Sequence, residues 1–130
     1  MERSSDWLRE AEGDLEHAQS DRDHGFYNWA CFSAQQGGEK AVKAVFQKMG
    51  VEAWGHSVAD LLEELSKSFE VPRELIDSAL ELDKAYIPTR YPNAHPSGSP
   101  HDRYTKQEAE RCINNAKDVF EYCKSILSKI

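Results

Sequence analysis

The sequence predicts an all-α fold, an antiparallel up-and-down helical bundle of four long helices plus one shorter helix, forming a single domain over residues 1–130. Three observations carry this reading. Apolar residues recur at helical spacing in five successive segments, and no segment alternates apolar and polar residues as a strand would. Capping residues stand where segments begin. Glycine or proline marks the joins. A chain of 130 residues can bury a core without disulfide staples.

The first helix is expected from about Ser5 to Asp21, with Trp7, Leu8, Ala11, Leu15 and Ala18 on one stripe and Ser4 or Ser5 as its cap. Asp21 to Gly25 is a polar connection. The second and longest helix runs from about Phe26 to Met49. Its apolar set, which includes Phe26, Trp29, Ala34, Val42 and Phe46, is too broad for one narrow stripe, so this helix is central. Gly37 and Gly38 in its middle cost helix propensity and imply close approach of another helix, within the chain or across a dimer. Gly50 ends it as the residue just past the helix.

Ser57-Val-Ala-Asp60 resembles a capping box with Asp in place of Glu, opening a third helix with Val58, Leu61, Leu62, Leu65 and Phe69 on its stripe. Pro72 suits the first position of a fourth, which buries Leu75, Ile76, Ala79, Leu82 and Tyr86 and stops at Pro88. Thr105-Lys-Gln-Glu108 is a capping box for the last helix, whose apolar positions from Ala109 to Ile130 keep helical spacing.

Between the fourth and last helices, residues 86–104 hold four of the five prolines. A structureless connection of this length is uncommon in a compact domain unless it is functional or disordered. It is also basic. Residues 1–24 carry eight acids and three bases, whereas residues 84–106 carry Lys84, Arg90, Arg103 and Lys106 against Asp102 alone. The overall charge of −7 argues against a general nucleic-acid coat, whose affinity comes from neutralising phosphates. A local basic island can still draw in an anion.

No apolar run approaches the ~20 residues of a membrane span, and the N-terminus has no apolar leader core. Cys31, Cys112 and Cys123 lack metal-ligand spacing and read as reduced thiols of a cytoplasmic protein. His95, His101 and Asp102 are the right types for zinc, but their spacing is not that of a zinc site. No metal and no cofactor is expected.

Two stretches resemble the HEPN domain (higher eukaryotes and prokaryotes nucleotide-binding). One is Ala34-Gln-Gln-Gly-Gly-Glu-Lys-Ala-Val-Lys-Ala44. The other, Leu82-Asp-Lys-Ala-Tyr-Ile-Pro-Thr-Arg-Tyr-Pro-Asn93, follows it, with His56 lying before the third helix. The resemblance implies a helical bundle that dimerises, binds nucleotide or RNA, and partners a small nucleotidyltransferase in a toxin–antitoxin-like pair. In many members an Arg-x4–6-His motif makes a metal-independent ribonuclease at the dimer interface. Arg90 and His95 have that spacing here, although Tyr91 follows the arginine and Pro92 and Pro96 bracket the motif. Arginine presents a planar fork that matches phosphate oxygens, and histidine exchanges protons near neutral pH. The candidate residues are therefore Arg90 and His95 for catalysis, and Arg90, Lys84, Arg103, Tyr91, Gln36 and Lys40 for nucleotide or phosphate binding. Three readings stay open: phosphate binding, RNA cleavage, and a structural adaptor whose dimer surface is all that matters. The structural role for Arg90 is to cap helix carbonyls or pair with a carboxylate, and that for Tyr86, Tyr91 and Tyr104 is to anchor the loop.

Overall fold

The computed structural model describes residues 1–130, and all its regular structure is helical. Three long helices form the frame: α1 (Ser4–Asp23), α2 (Tyr27–Met49) and α6 (Lys106–Leu127). Two shorter ones, α3 (Val58–Leu65) and α4 (Arg73–Asp83), pack on α2, and α4 also packs on α6. A single-turn helix, α5 (Pro100–Arg103), lies just before α6. The all-α bundle is as the sequence predicts, with its length distributed as three long and two shorter helices.

The sequence makes α2 central because it is apolar on more than one side, and α1, α3, α4, α5 and α6 all touch it. Val42, Val45, Leu62, Leu65, Leu82 and Ile113 are among the largest wholly buried side chains. The adjacent glycines serve two contacts at once. A Cβ on Gly37 would lie 3.1 Å from Leu15 Cδ2 and 3.2 Å from the Ala11 carbonyl oxygen, both in α1. One on Gly38 would lie 3.0 Å from Leu82 Cδ2 in α4. The close approach implied by Gly37-Gly38 is therefore made inside the chain. Gly50 closes α2 in the left-handed region, at φ 73°.

The capping box at Thr105 forms as expected. Its hydroxyl accepts from the Glu108 amide at 3.1 Å, and Glu108 accepts from the Thr105 amide at 3.1 Å. Four other expectations are corrected. Neither Ser4 nor Ser5 caps α1: Arg3 holds the cap position without a side-chain bond, and the Glu2 carboxylate accepts from the Ser4 amide. Phe26 and Trp29 do not enter the core and are each 46% exposed. Phe26 lies against His101 instead, and Trp29 stands edge-on to Phe32. At α3, Ser57 accepts from the Asp60 amide, but Asp60 does not bond back; the role of second cap falls to Asp83, described below. Finally, the proline-rich connection is not structureless. It contains a 3-10 turn, Pro92–Ala94, and the α5 turn, each begun by a proline. Proline's fixed φ and missing N–H suit a first helical position.

No helix is long and apolar enough to cross a membrane. All three cysteines are free thiols, Cys31 and Cys123 buried and Cys112 half-buried.

Candidate functional site

The end of α4 builds the site. After Asp83 the chain continues in tight turns, with amide bonds from Ala85 to Leu82, Tyr86 to Asp83 and Arg90 to Ile87. Thr89 is wholly buried, and its hydroxyl donates to the Ala85 carbonyl at 2.7 Å. Asn28 of α2 donates to the Thr89 carbonyl at 3.0 Å. These bonds fix the backbone that leads into Arg90.

A helix end leaves carbonyls without amide partners. Arg90 takes one of them, donating from Nε at 3.2 Å and Nη2 at 2.7 Å to the Tyr86 carbonyl. Its guanidinium carbon lies 4.2 Å from the ring centre of Phe32, 5.0 Å from that of Tyr86 and 5.2 Å from that of Tyr91. Aromatic faces attract a cation through the ring quadrupole. The positive charge is thus held in place by a neutral carbonyl and three rings. It forms no ion pair with a carboxylate, unlike Arg73 and Arg111.

Beside Tyr86 lies a polar network reaching across three elements. The ring of His56 stacks on Tyr86 at 5.0 Å and 16°. His56 Nδ1 lies 3.1 Å from Glu39 Oε1, and Lys43 donates to Glu39 Oε2 at 3.0 Å. The His56 carbonyl accepts from Gln35 at 2.7 Å, and Gln35 also donates to Asp83 at 3.2 Å. Asp83 then accepts from the Val58 and Ala59 amides at 2.8 and 3.0 Å and from the Ser57 hydroxyl at 2.9 Å. A carboxylate at a helix N-terminus satisfies orphan amides and complements the dipole. Asp83 therefore ties the end of α4 to the start of α3.

Of the residues singled out in the sequence, Arg90 and Tyr91 come together here, and Gln36 joins at the edge by donating to Gln35 at 2.9 Å. The others lie elsewhere. His95 Nε2 is 2.7 Å from the Pro88 carbonyl, and its ring meets Tyr104 edge-on; it shares no hydrogen bond or ring contact with Arg90. Arg103 is held by Ser97, donating to its carbonyl at 2.7 Å and to its hydroxyl. Lys84 lines a separate cavity of about 170 Å³ with Tyr104, Glu108 and Arg111. Lys40 pairs with Asp14 at 2.8 Å, on the α1 side of α2. Phe32 and Asp83 were not singled out by sequence. Glu39, one helical turn from Gln35, had a local signal in that spacing; Asp83 had none.

A model of the HEPN domain matches residues 4–126. The chain belongs to the HEPN domain family. A Thermotoga maritima HEPN domain protein is 57% identical, with a TM-score of 0.80, over 95% of this chain and 98% of its own. A Thermus thermophilus protein is 45% identical, with a TM-score of 0.93, over 96% of this chain and 98% of its own. An archaeal HEPN homologue is 40% identical, with a TM-score of 0.81, over 96% and 98% of the two chains. At greater distance, the Methanocaldococcus jannaschii protein named "Putative toxin MJ1304" is 28% identical over 95% of this chain and 87% of its own length.

Proposed function

We propose that this HEPN protein binds a nucleotide or RNA phosphate through Arg90, acts as a homodimer, and works with a small nucleotidyltransferase as one half of a toxin–antitoxin-like pair. The observation that carries the binding is the charge of Arg90, which is rigidly placed and half-exposed but has no carboxylate to neutralise it. An arginine used only as a cap would give up nothing by pairing with one of the chain's 23 acids. One left open keeps its outer edge for an anion. Tyr91, 48% exposed, and Trp29 beside Phe32 supply faces on which a base can stack. The same exposed rings give a second copy apolar surface to cover. The toxin-like relative and the family resemblance support the paired role.

Binding is tested by fluorescence anisotropy with a labelled single-stranded oligoribonucleotide, with ATP as competitor. Arg90→Ala should weaken binding about tenfold or more, the loss of a charge-assisted contact. No binding by the parent, or equal binding by the variant, sinks the proposal. Sedimentation of the parent, alone and co-expressed with a small nucleotidyltransferase, tests the dimer and the partner.

A further inference from the structure

We infer that Cys112 and Cys31 form a peroxide-sensitive modification site: Cys112 is oxidised first, and Cys31 resolves it into an intrachain disulfide between α6 and α2. The inference does not depend on the reading of Arg90.

Three observations carry it. First, the two thiols meet. Cys31 lies in a small buried cluster with Ala30, Ala85 and Ala109, separate from the main core, and Cys112 packs against that cluster. The two thiols are hydrogen-bonded to each other. Second, the side chains around them are small. Ala30 adjoins Cys31, Ala109 lies one turn before Cys112, and both alanines are wholly buried. Small residues let α2 and α6 approach closely, and a disulfide needs Cα atoms within about 7 Å of each other. Third, only one of the thiols is within reach. Cys112 is half-buried and lines the cavity of about 170 Å³ that also holds Lys84, Tyr104 and Arg111, whereas Cys31 is wholly buried. An oxidant entering that cavity meets Cys112 first. The hydrogen bond with Cys112 and burial keep the proton on Cys31, which leaves the Cys112 sulfur as the attacking one. An accessible thiol beside a second, resolving thiol is the arrangement of a redox-sensing pair. Cys123 has no such place. It is wholly buried in the main core, and it stands about 16 Å further along α6 than Cys112, beyond the span of a disulfide.

The chemistry follows from that placement, with hydrogen peroxide as the oxidant. Cys112 loses its proton to solvent, and its sulfur attacks one peroxide oxygen. The O–O bond breaks, and the departing hydroxide takes a proton back from solvent and leaves as water. Cys112 is then a sulfenic acid. The Cys31 sulfur attacks the Cys112 sulfur, the S–O bond breaks, and the second hydroxide leaves as water with the Cys31 proton. Two thiols and one peroxide become one disulfide and two waters: the peroxide gains two electrons and the thiols lose two. A small dithiol reverses the bond by exchange.

The test treats the folded chain, freed of reductant, with a small molar excess of hydrogen peroxide and counts its thiols after unfolding. The count should fall from three per chain to one, and the mass should drop by two hydrogen atoms. Peptide mapping should join Cys31 to Cys112 and leave Cys123 free, and dithiothreitol should restore all three thiols. Cys31→Ala should stop at a sulfenic acid on Cys112, trapped by dimedone, a species the parent does not accumulate. In Cys112→Ala, Cys31 should be oxidised at least about tenfold more slowly than in the parent, because burial makes a thiol inert. Three thiols surviving in the parent, a bond to Cys123 or between two chains, or Cys112 oxidised past the sulfenic acid beside a free Cys31 overturns the inference. So does parental oxidation of Cys31 in Cys112→Ala. The parental map decides the matter by itself where a variant does not fold.

Discussion

Around Gly37, where α2 meets α1, the contact is a matter of volume: Gly37 lets Leu15 and the Ala11 carbonyl approach to within 3.1–3.2 Å of where a Cβ would be. Where the same helix meets α3 and the end of α4, the contact is a matter of chemistry. Gln35 and Glu39 are buried polar residues, and their bonds run to His56 and Asp83. The contact at Gly37 is set by the space available, and it penalises one extra methyl. The second tolerates changes of shape and penalises a lost donor or acceptor, because a buried polar group without a partner keeps its full desolvation cost. A helix can therefore provide both a frame and a site if the two requirements fall on different faces.

The largest effect should come from the polar face. Asp83→Ala removes the acceptor of the Val58 and Ala59 amides, the Ser57 hydroxyl and Gln35. It should cost about 3 kcal/mol in urea unfolding; a loss under about 1 kcal/mol would show that water replaces the carboxylate and would erase the contrast.

Alkaline pH tests the apolar interior next. The neighbouring Cys112 thiol and burial raise the Cys31 thiol, and burial raises Cys123, in both cases from the ordinary 9.0. Burial likewise pushes Tyr104 from 10.0 up to about 12. For groups raised on folding, the stabilising difference is intact below the unfolded value and is lost as pH rises past it. Stability should therefore hold to about pH 9 and then fall by up to about 1.4 kcal/mol per pH unit for each buried thiol. Cys123→Ala should make the fall shallower; an unchanged slope would contradict the assignment.

Gly37→Ala gains helix propensity but overfills the α1 contact, and it should lose about 1 kcal/mol net. If it stabilised the protein, α1 would have to be free to move away. The smallest stability effect should be that of Arg90→Ala. Its guanidinium covers rings and caps one carbonyl at a half-exposed position, so its melting curve should shift by no more than about 1 kcal/mol. A large loss would turn Arg90 into part of the frame.

The sequence carried the frame further than the site. The start of α6 was legible because a capping box is local, with its partners three residues apart. The α2 glycines pointed to a close contact, but which helices made it needed coordinates. The second cap of α3 was not legible, because Asp83 reaches amides 24 and 25 residues away, and periodicity says nothing about such distances. Phe26 and Trp29 misled because hydropathy does not separate a ring that fills a core from one that covers a loop. Arg90 was found through its residue type and the family resemblance. Its ring setting was missed, since Phe32 comes from α2 and only folding brings it beneath the guanidinium. His56 was visible as a residue before a helix, but its pairing with Glu39 spans 17 positions.

The Asp83 junction bears on how such a site could be silenced. The carboxylate that anchors the start of α3 belongs to the segment that, one turn later, carries Tyr86 and Arg90. The start of α3, Tyr86 and Arg90 thus form one rigid block, and drawing them apart means breaking several half-buried bonds together. An inhibitor gains little by prying this block open. Inhibition there should work by occlusion: a partner lies across the exposed rings, and the block beneath keeps its shape.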